Sequence, residues 1–186
     1  MKSNILPGIK LTLIFILFFM GIYSVVMLGV AQLAPNHGKG FTIESEGKTY
    51  YENIAQSFTE DRYFWSRPSA VNYNAAGSGG SNKGPSNPDY LAVVQSRIDT
   101  FMVHNPDIRK ADIPSDLVTA SGSGQDPNIS VQGALVQVAR IAKARNIAEV
   151  QIKSLIEENT ELPLLGLFGT EKLNVLKLNI ALHQIK

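Results

Sequence analysis

The sequence predicts a single N-terminal transmembrane helix followed by a small α/β (α+β) extramembrane domain. The first observation is an uncharged apolar run from Leu11 to Ala31, LTLIFILFFMGIYSVVMLGVA. The second is that the rest of the chain mixes short alternating segments with apolar residues at helical spacing. The third is length, since 186 residues are enough for one ordinary domain and an appendage.

The apolar run is long enough to cross a bilayer, because a helix rises about 1.5 Å per residue and the hydrocarbon layer is about 30 Å thick. It is longer than the apolar core of a signal peptide, which favours an uncleaved anchor. Small residues occur at its end and just after it, at Gly29, Ala31 and Ala34, so cleavage stays open. Gly21 and Ser24 form a stripe of smaller residues on which other transmembrane helices would pack.

The charges beside the run indicate its orientation. Lys2 and Lys10 precede it, and no acidic residue occurs before Glu44. The positive-inside rule then places the N-terminus in the cytoplasm and the main domain outside it, in a single-pass protein of the cell (inner) membrane. The predicted parts are a short cytoplasmic N-terminus, a transmembrane helix, a linker and a periplasmic domain: residues 1–10, 11–33, 34–40 and 41–186.

Composition excludes several function classes. The net charge of +1 argues against a nucleic-acid-binding protein, which would carry a basic stripe. The chain has no cysteine, which excludes disulfides, thiol catalysis and cysteine-based metal sites. Its three histidines, His37, His104 and His183, are far apart in the sequence, and no metal ligands are predicted.

The first half of the domain is predicted to contain short strands, a long loop and a helix. Residues 41–58 alternate loosely and predict short strands or a hairpin. Residues 61–88 are rich in Gly, Ser, Asn and Pro, as functional or mobile loops are. An Asn-Pro pair at 87–88 predicts a helix start, and a second at 105–106 predicts its end. The apolar face of that helix would be Leu91, Val94, Ile98, Phe101 and Met102.

The second half is predicted to be mainly helical. A turn and a short strand are expected over 111–120, followed by a helix with an apolar stripe at Val131, Leu135, Val138 and Ala142. Gln137, Arg140 and Lys143 would lie on the opposite face. Further predicted elements are a helix at 148–158 burying Ala148, Ile152, Leu155 and Ile156, a turn-rich connector at 162–169, and a largely buried C-terminal helix, with a short strand before it left open.

The segment TASGSGQDPNIS, residues 119–130, has the composition of an active-site loop. A nucleophile elbow needs G-x-S-x-G, whereas Ser123 has glycine on both sides. Asp126 or Ser130 is therefore predicted to cap the next helix, whose N-terminus could also bind an anion. A membrane-anchored periplasmic hydrolase that uses Ser123, with His104 or His183 as its base, stays open as the alternative function.

Two other motifs have a functional and a structural interpretation. GSGGSNKG, residues 77–84, partly matches a phosphate-binding loop, but Asn82 and Gly84 occupy the positions of its second glycine and its Ser/Thr. A flexible loop is therefore favoured. Arg67 lies between Trp65 and Pro68, where it is either an interface anchor or a solvated side chain beside a core aromatic.

Several motifs occur in order along the chain: SRPSA at 66–70, SGGSN at 78–82, SNP at 86–88, IPSDLVTASGSGQDPNIS at 113–130, RIAKARN at 140–146 and LNVLKLNIAL at 173–182. Together with the N-terminal span they resemble the C subunits of Kdp-type bacterial potassium-transporting ATPases. The resemblance covers essentially the whole chain. The family often has Leu where Gln125 stands and His where Asn128 stands.

The resemblance implies a non-catalytic subunit of a high-affinity, ATP-driven potassium uptake complex. Its partners would be the ATP-hydrolysing P-type subunit, the potassium-conducting channel-like subunit, a small single-span subunit and membrane lipid. It implies assistance in assembly and a catalytic chaperone role that raises the ATP affinity of the hydrolysing subunit. No firmly bound cofactor is expected, and ATP would be met only in a ternary complex with that subunit.

ATP is cytoplasmic, whereas the orientation places this domain outside. We therefore expect an extracytoplasmic cap or scaffold on the potassium-conducting subunit; an anchored binding module for an unrelated transporter is a further alternative. Candidate partner or nucleotide contacts are Arg67, Pro68, Ser78, Gly79, Gly80, Ser81, Asn82, Gln137 and Arg140. Family-motif residues with a structural role are Ser121, Gly122, Ser123, Gly124, Asp126, Pro127, Ser130, Asn174 and Asn179.

Overall fold

One long apolar helix, from Ile5 to Ala31, dominates the N-terminal unit Met1–Thr42. The structure is a computed structural model that describes residues 4–185. The helix has 27 residues and a mean hydropathy of 2.6, so it is long and apolar enough to cross a membrane. Its apolar side chains are not buried against the rest of the described chain. It begins before the predicted Leu11 because Pro7 is tolerated in the first turn of a helix.

The long helix widens in its middle. Ser24 Oγ donates a hydrogen bond to Phe19 O, five residues earlier, at 3.0 Å. Gly21 lies inside the widened segment, so the predicted packing residues Gly21 and Ser24 lie in and beside an irregular turn. The three parts of the helix are α1 (Ile5–Ile16), a π-helical segment (Leu17–Tyr23) and α2 (Ser24–Ala31).

The predicted hairpin lies at the start of the second unit, Ile43–Lys186, apart from its first residue. Strand β1 (Thr42–Ser45) pairs with β2 (Lys48–Tyr51). Glu46 and Gly47 between them have φ values of 52° and 73°, as a two-residue turn with positive φ at both positions requires. The hairpin prediction is confirmed.

The helix predicted after the long loop is confirmed as α3 (Pro88–His104). Asn87 caps it by accepting a hydrogen bond from Tyr90 N at 3.0 Å. Of its predicted apolar face, Phe101 is buried, whereas Leu91 is 51% exposed. The first turns of α3 therefore contribute little to the core.

The short strand predicted within 111–120 is wrong. Two 3₁₀ turns, Lys110–Asp112 and Ser115–Leu117, occupy this segment. Thr119 N donates to Ser115 O at 2.8 Å, so the backbone bonds locally and not to another strand.

The C-terminal half packs four helices around a small sheet. Strand β3 (Asn128–Ile129) pairs antiparallel with β4 (Leu173–Asn174), which confirms a strand before the last helix. The buried core includes Phe64, Ile129, Ile141, Ile152, Ile156, Leu173, Leu178 and Leu182. The helices are α4 (Val131–Leu135), α5 (Val138–Arg145), α6 (Glu149–Glu158) and α7 (Val175–Gln184).

Two helix details differ from the predictions. The single helix expected from Val131 breaks between α4 and α5 at Gln137, so its apolar stripe is not continuous and Leu135 is 38% exposed. Ala148 precedes α6 and is exposed, whereas the predicted Ile152, Leu155 and Ile156 are buried.

Candidate functional site

Part of the long loop, residues 66–84, lies against the segment 119–130 that the sequence singled out. We call this pair of segments the loop junction. Gly79 N donates to Ser123 O at 2.8 Å, and Ser78 Oγ donates to the same oxygen at 3.0 Å. The long loop is therefore held in place at this point.

Gly124 makes the close approach of the two segments possible. Residues with a side chain rarely adopt its φ of +69°. An added Cβ would also lie 2.6 Å from Val71 Cγ2 and 2.9 Å from Gly79 O. Its carbonyl accepts a hydrogen bond from Ser69 Oγ at 2.7 Å. A glycine is needed here for both conformation and space.

Arg67 joins the two segments from the other end of the junction. Its Nη1 donates to Asp126 Oδ2 at 2.9 Å, and both side chains are about three-quarters buried. Tyr73 donates its hydroxyl to Arg67 O at 2.9 Å, and Pro68 O accepts from Ser121 N at 3.2 Å. Arg67 is thus neither a freely solvated side chain nor part of the core, and its carboxylate partner lies in its own chain.

Burial raises the pKa of the Tyr73 hydroxyl above its ordinary value, against a smaller opposing effect of the Arg97 charge. The neutral phenol is therefore the form that the junction favours. This agrees with its hydrogen bond to a carbonyl, which only a protonated hydroxyl can donate.

Ser130, and not Asp126, caps the helix that follows the junction. Ser130 Oγ accepts from Gly133 N at 2.9 Å, while Ser130 N donates to Asp116 Oδ2 at 2.6 Å. Asp126 uses its other carboxylate oxygen to accept from Asn128 N at 3.0 Å. The capping prediction is confirmed for Ser130 and wrong for Asp126. The two carboxylate oxygens of Asp126 accept instead from Asn128 N and from Arg67.

Ser123 is not paired with either of the histidines proposed as its base. Its hydroxyl accepts a hydrogen bond from Gln125 N at 3.1 Å. His104 Nδ1 lies 2.7 Å from Asp61 Oδ1, and His183 Nε2 lies 2.7 Å from Tyr63 OH. The arrangement that a serine hydrolase would require is not assembled around Ser123.

Gln137 and Arg140 form a buried anchor, contrary to the prediction that they lie on the face opposite the core. Gln137 is fully buried, and only 3% of the Arg140 side chain is exposed. Gln137 Oε1 accepts from Trp65 N at 2.8 Å and from Arg140 Nη2 at 2.6 Å. Arg140 Nη1 also donates to the carbonyls of Asp61 and Tyr63 at 2.7 and 3.1 Å.

The break in the helix explains this change of face. Gln137 follows α4 and precedes α5, so the rotation of later residues is not that of one continuous helix. Burial lowers the pKa of Arg140 to about 10, while the nearby charge of Asp61 acts in the opposite direction. The guanidinium is therefore charged at neutral pH and is held by its own chain.

The two motif asparagines near the C-terminus hold backbone from distant segments. Asn179 Oδ1 accepts from Phe64 N at 2.9 Å, and its Nδ2 donates to Phe64 O at 3.0 Å. Asn174 Nδ2 donates to Glu52 O at 2.8 Å, and its Oδ1 caps α7 by accepting from Lys177 N. The sequence signal for this role is a pair of amide side chains inside an otherwise apolar stripe. The sequence analysis did not identify Phe64, to which Asn179 bonds.

The outer edge of the loop junction borders a cavity of about 380 Å³. An added Cβ on Gly80 would lie 2.9 Å from Gly122 O, so the two backbones are also close on this side. Ser81, Asn82 and Lys83 line the cavity and are exposed. Among residues 4–185 no group of three or more His, Asp or Glu side chains is placed to hold a metal ion.

The loop junction and the anchored asparagines contain several of the motifs on which the family resemblance depends. The family model described as K+-transporting ATPase, c chain, KdpC, matches residues 5–184. The chain belongs to this family. The predicted resemblance is thereby confirmed over almost the whole chain, and KdpC membership makes the protein an accessory subunit and not the catalytic one.

Three relatives named "Potassium-transporting ATPase KdpC subunit" illustrate the similarity. The protein of Flavobacterium psychrophilum is 53% identical over 185 residues, and that of Flavobacterium johnsoniae is 55% identical over 185 residues. The protein of Bacteroides thetaiotaomicron is 50% identical over 188 residues. Each alignment covers 99% of this chain and 100% of the relative.

Proposed function

We propose that this protein is the membrane-anchored scaffold of a potassium-transporting ATPase, with its folded unit outside the cytoplasm as a cap on the potassium-conducting subunit. KdpC family membership supports its place in such a complex. The observation that carries the scaffold role is that the candidate contact residues Arg67, Gln137 and Arg140 bond to their own chain.

A rigid folded unit is what a cap requires. The long loop contacts the helices through Asn179, Gln137 and Arg140, so it is fixed before any partner binds. Preorganised surfaces lose less conformational entropy on association than mobile loops do. The fixed loop would therefore present its exposed side to the complex without a large ordering cost.

The catalytic chaperone role is part of the same proposal. An extracytoplasmic unit would raise the ATP affinity of the hydrolysing subunit by favouring one conformation of the assembled complex. Binding linkage then requires the reverse effect: ATP must tighten association of the accessory subunit by the same factor. ATP would be met only as part of the ternary complex.

The side of the membrane is tested by cysteine labelling, because the chain has no native cysteine. Ser81→Cys is placed in the exposed edge of the loop junction, and Ser3→Cys in the N-terminal segment as the matched control. We expect an impermeant maleimide to label Ser81→Cys on spheroplasts and Ser3→Cys only after lysis. The opposite pattern would contradict the extracytoplasmic cap.

The chaperone role is tested in the purified complex. The ATP concentration that gives half-maximal hydrolysis is measured with and without this subunit, and subunit dissociation is measured with and without a non-hydrolysable ATP analogue. We expect removal of the subunit to raise the ATP concentration that gives half-maximal hydrolysis. We expect the ATP analogue to slow dissociation of the subunit. An unchanged ATP dependence would leave a scaffold without a chaperone role.

A variant in the loop junction, Lys83→Ala, can be tested by the same measurements of ATP dependence and subunit dissociation. Lys83→Ala removes the charged side chain on the edge of the cavity without removing an internal contact. We expect assembly to weaken if this edge faces a partner, whereas Lys153→Ala on the exposed face of α6 serves as the control. Lowered ATP affinity in a fully assembled Lys83→Ala complex would instead favour direct nucleotide contact.

A further inference from the structure

A second hairpin, between α6 and β4, exposes a continuous set of large apolar side chains. We call residues Leu162–Phe168 the apolar tip. The exposed fractions are 73% for Leu162, 70% for Leu164, 81% for Leu165, 79% for Leu167 and 65% for Phe168. Soluble surfaces seldom leave such a set together unless it contacts something, so the apolar tip is a candidate interface.

No other part of the described second unit exposes apolar side chains in this way. Val103 and Val150 are exposed to a similar degree, but each lies apart from the others. Leu91 and Val93 on α3 are about half exposed. Single exposed residues need no explanation, whereas five within one short hairpin do.

The apolar tip is held in one conformation before it meets a partner. Leu164 and Phe168 pair across the hairpin, with Phe168 N and Leu167 N donating to Leu164 O at 3.0 and 3.1 Å. Leu165 and Gly166 form the turn with φ values of 55° and 72°. A side chain held in the left-handed region at the end of a hairpin is unusual, and here it projects an apolar residue outward.

The positive charges at the base of the hairpin are paired with carboxylates. Glu161 and Lys172 pair through their backbones and lie 3.5 Å apart through their side chains. Lys177 contacts both Glu161 and Glu52, and although burial opposes it, those two carboxylates raise the Lys177 pKa. Lys172 and Lys177, the first two lysines after the apolar tip in the sequence, therefore both form ion pairs with carboxylates.

We propose that the apolar tip inserts into an uncharged, apolar groove on another chain of the potassium-transporting ATPase. This inference rests on the proposed function, since it places the partner in that complex. The residues from Leu162 to Thr170 carry no charge, and the paired base leaves no excess positive charge beside them. A neutral groove complements this surface.

A bilayer surface is a poorer match for the same residues. Segments that lie in a membrane interface commonly combine apolar residues with Trp, Tyr and unpaired Lys or Arg, which contact headgroups. The apolar tip has neither Trp nor Tyr, and the nearby Lys172 and Lys177 are paired with acids. Lipid is therefore an outcome for the experiment to exclude.

The proposal is tested by assembly of the full-length chain in native membranes. Leu167→Asp puts a charge on the apolar tip, and Leu165→Asn removes an apolar side chain while keeping a residue that tolerates the left-handed conformation. Val150→Asp, at a site 72% exposed, is the matched control. After mild detergent extraction, the other ATPase chains that co-purify with each tagged variant are quantified by mass spectrometry.

We expect both tip variants to lower recovery of the other ATPase chains by about tenfold or more, since burying one large apolar side chain is worth about that factor. The control should match wild type, and all variants should keep the wild-type thermal transition. Wild-type recovery with both tip variants would overturn the inference. Failure of the wild-type chain itself to co-purify would instead overturn the proposed function.

A photo-crosslinking residue at position 165 identifies what the apolar tip contacts. We expect, on illumination of intact membranes, a covalent product with the mass of this chain plus another chain of the ATPase. A product with lipid, or with a second copy of this chain, would contradict the inference. The same group at position 150 is the control and should give no such product.

Discussion

The guanidinium of Arg140 lies over the ring of Trp65, 4.5 Å from its centroid. The same guanidinium donates to the carbonyls of Asp61 and Tyr63, which precede Trp65 in the same loop segment, and to Asn105 Oδ1. A cation held by a ring and by several oxygens in a buried position fixes the path of the whole segment. The stability of the loop should therefore depend on Arg140.

Arg140→Ala should lower the free energy of unfolding by about 3 kcal/mol or more, because it leaves buried and partly buried acceptors without their donor and removes the contact with Trp65. Arg140→Lys should recover only part of this, since an ammonium cannot reach the same set of acceptors. Trp65 is the single tryptophan of the chain, so its fluorescence in the detergent-solubilised protein reports the transition directly. Lys153→Ala, an exposed cation, should change little.

Asn179→Asp should destabilise the protein in a pH-dependent way. The new carboxylate can still accept from Phe64 N but faces Phe64 O, to which Asn179 now donates. Burial raises the pKa of such a carboxyl, and its protonated form can donate to the carbonyl again. Thermal unfolding should therefore show a large loss at pH 8 that shrinks toward pH 5; an exposed Asn82→Asp variant should show no such trend.

Gly124→Ala should separate the two segments of the loop junction. The substitution combines a positive φ with a Cβ that would lie 2.6 Å from Val71 and 2.9 Å from Gly79 O. We expect a loss of about 2–4 kcal/mol and faster amide hydrogen exchange at Gly79, whose donor bonds across the junction. Gly84→Ala, where nothing lies within 4 Å, is the matched control and should be near neutral.

Tyr73→Phe should change how stability depends on alkaline pH. The folded pKa of Tyr73 is raised, so its contribution is present below the unfolded value of about 10 and is lost as pH rises through the folded value. Below pH 9 the variant should be about 1 kcal/mol less stable, because it lacks the bond to Arg67 O. The difference between wild type and variant should shrink above pH 10; a difference independent of pH would contradict this assignment.

Much of the local structure could be predicted from the sequence because it depends on neighbouring residues. The Asn87-Pro88 helix start, the Ser130 cap and the Glu46-Gly47 turn each use a side chain or a φ value that acts within a few positions. The apolar N-terminal helix belongs to the same class, since its length and composition define it. Periodicity also found the buried face of α6.

The roles of the candidate site residues could not be predicted in the same way. Periodicity placed Gln137 and Arg140 opposite the core because it assumed one unbroken helix, whereas the break at Gln137 turns both inward. Arg67 bonds to an aspartate more than fifty positions away, and Phe64 to an asparagine more than a hundred away. No local pattern contains those partners.

The sequence by itself determined the family, the apolar helix and the start of α3, and it limited the cap of α4 to Asp126 or Ser130, because each depends on the order and spacing of nearby residues. Only the tertiary structure decided that the two glycine-rich segments meet, that Arg140 is an internal anchor, and that Leu162–Phe168 is left uncovered. The physical reason is that these features are contacts, or missing contacts, between segments that only folding brings into register.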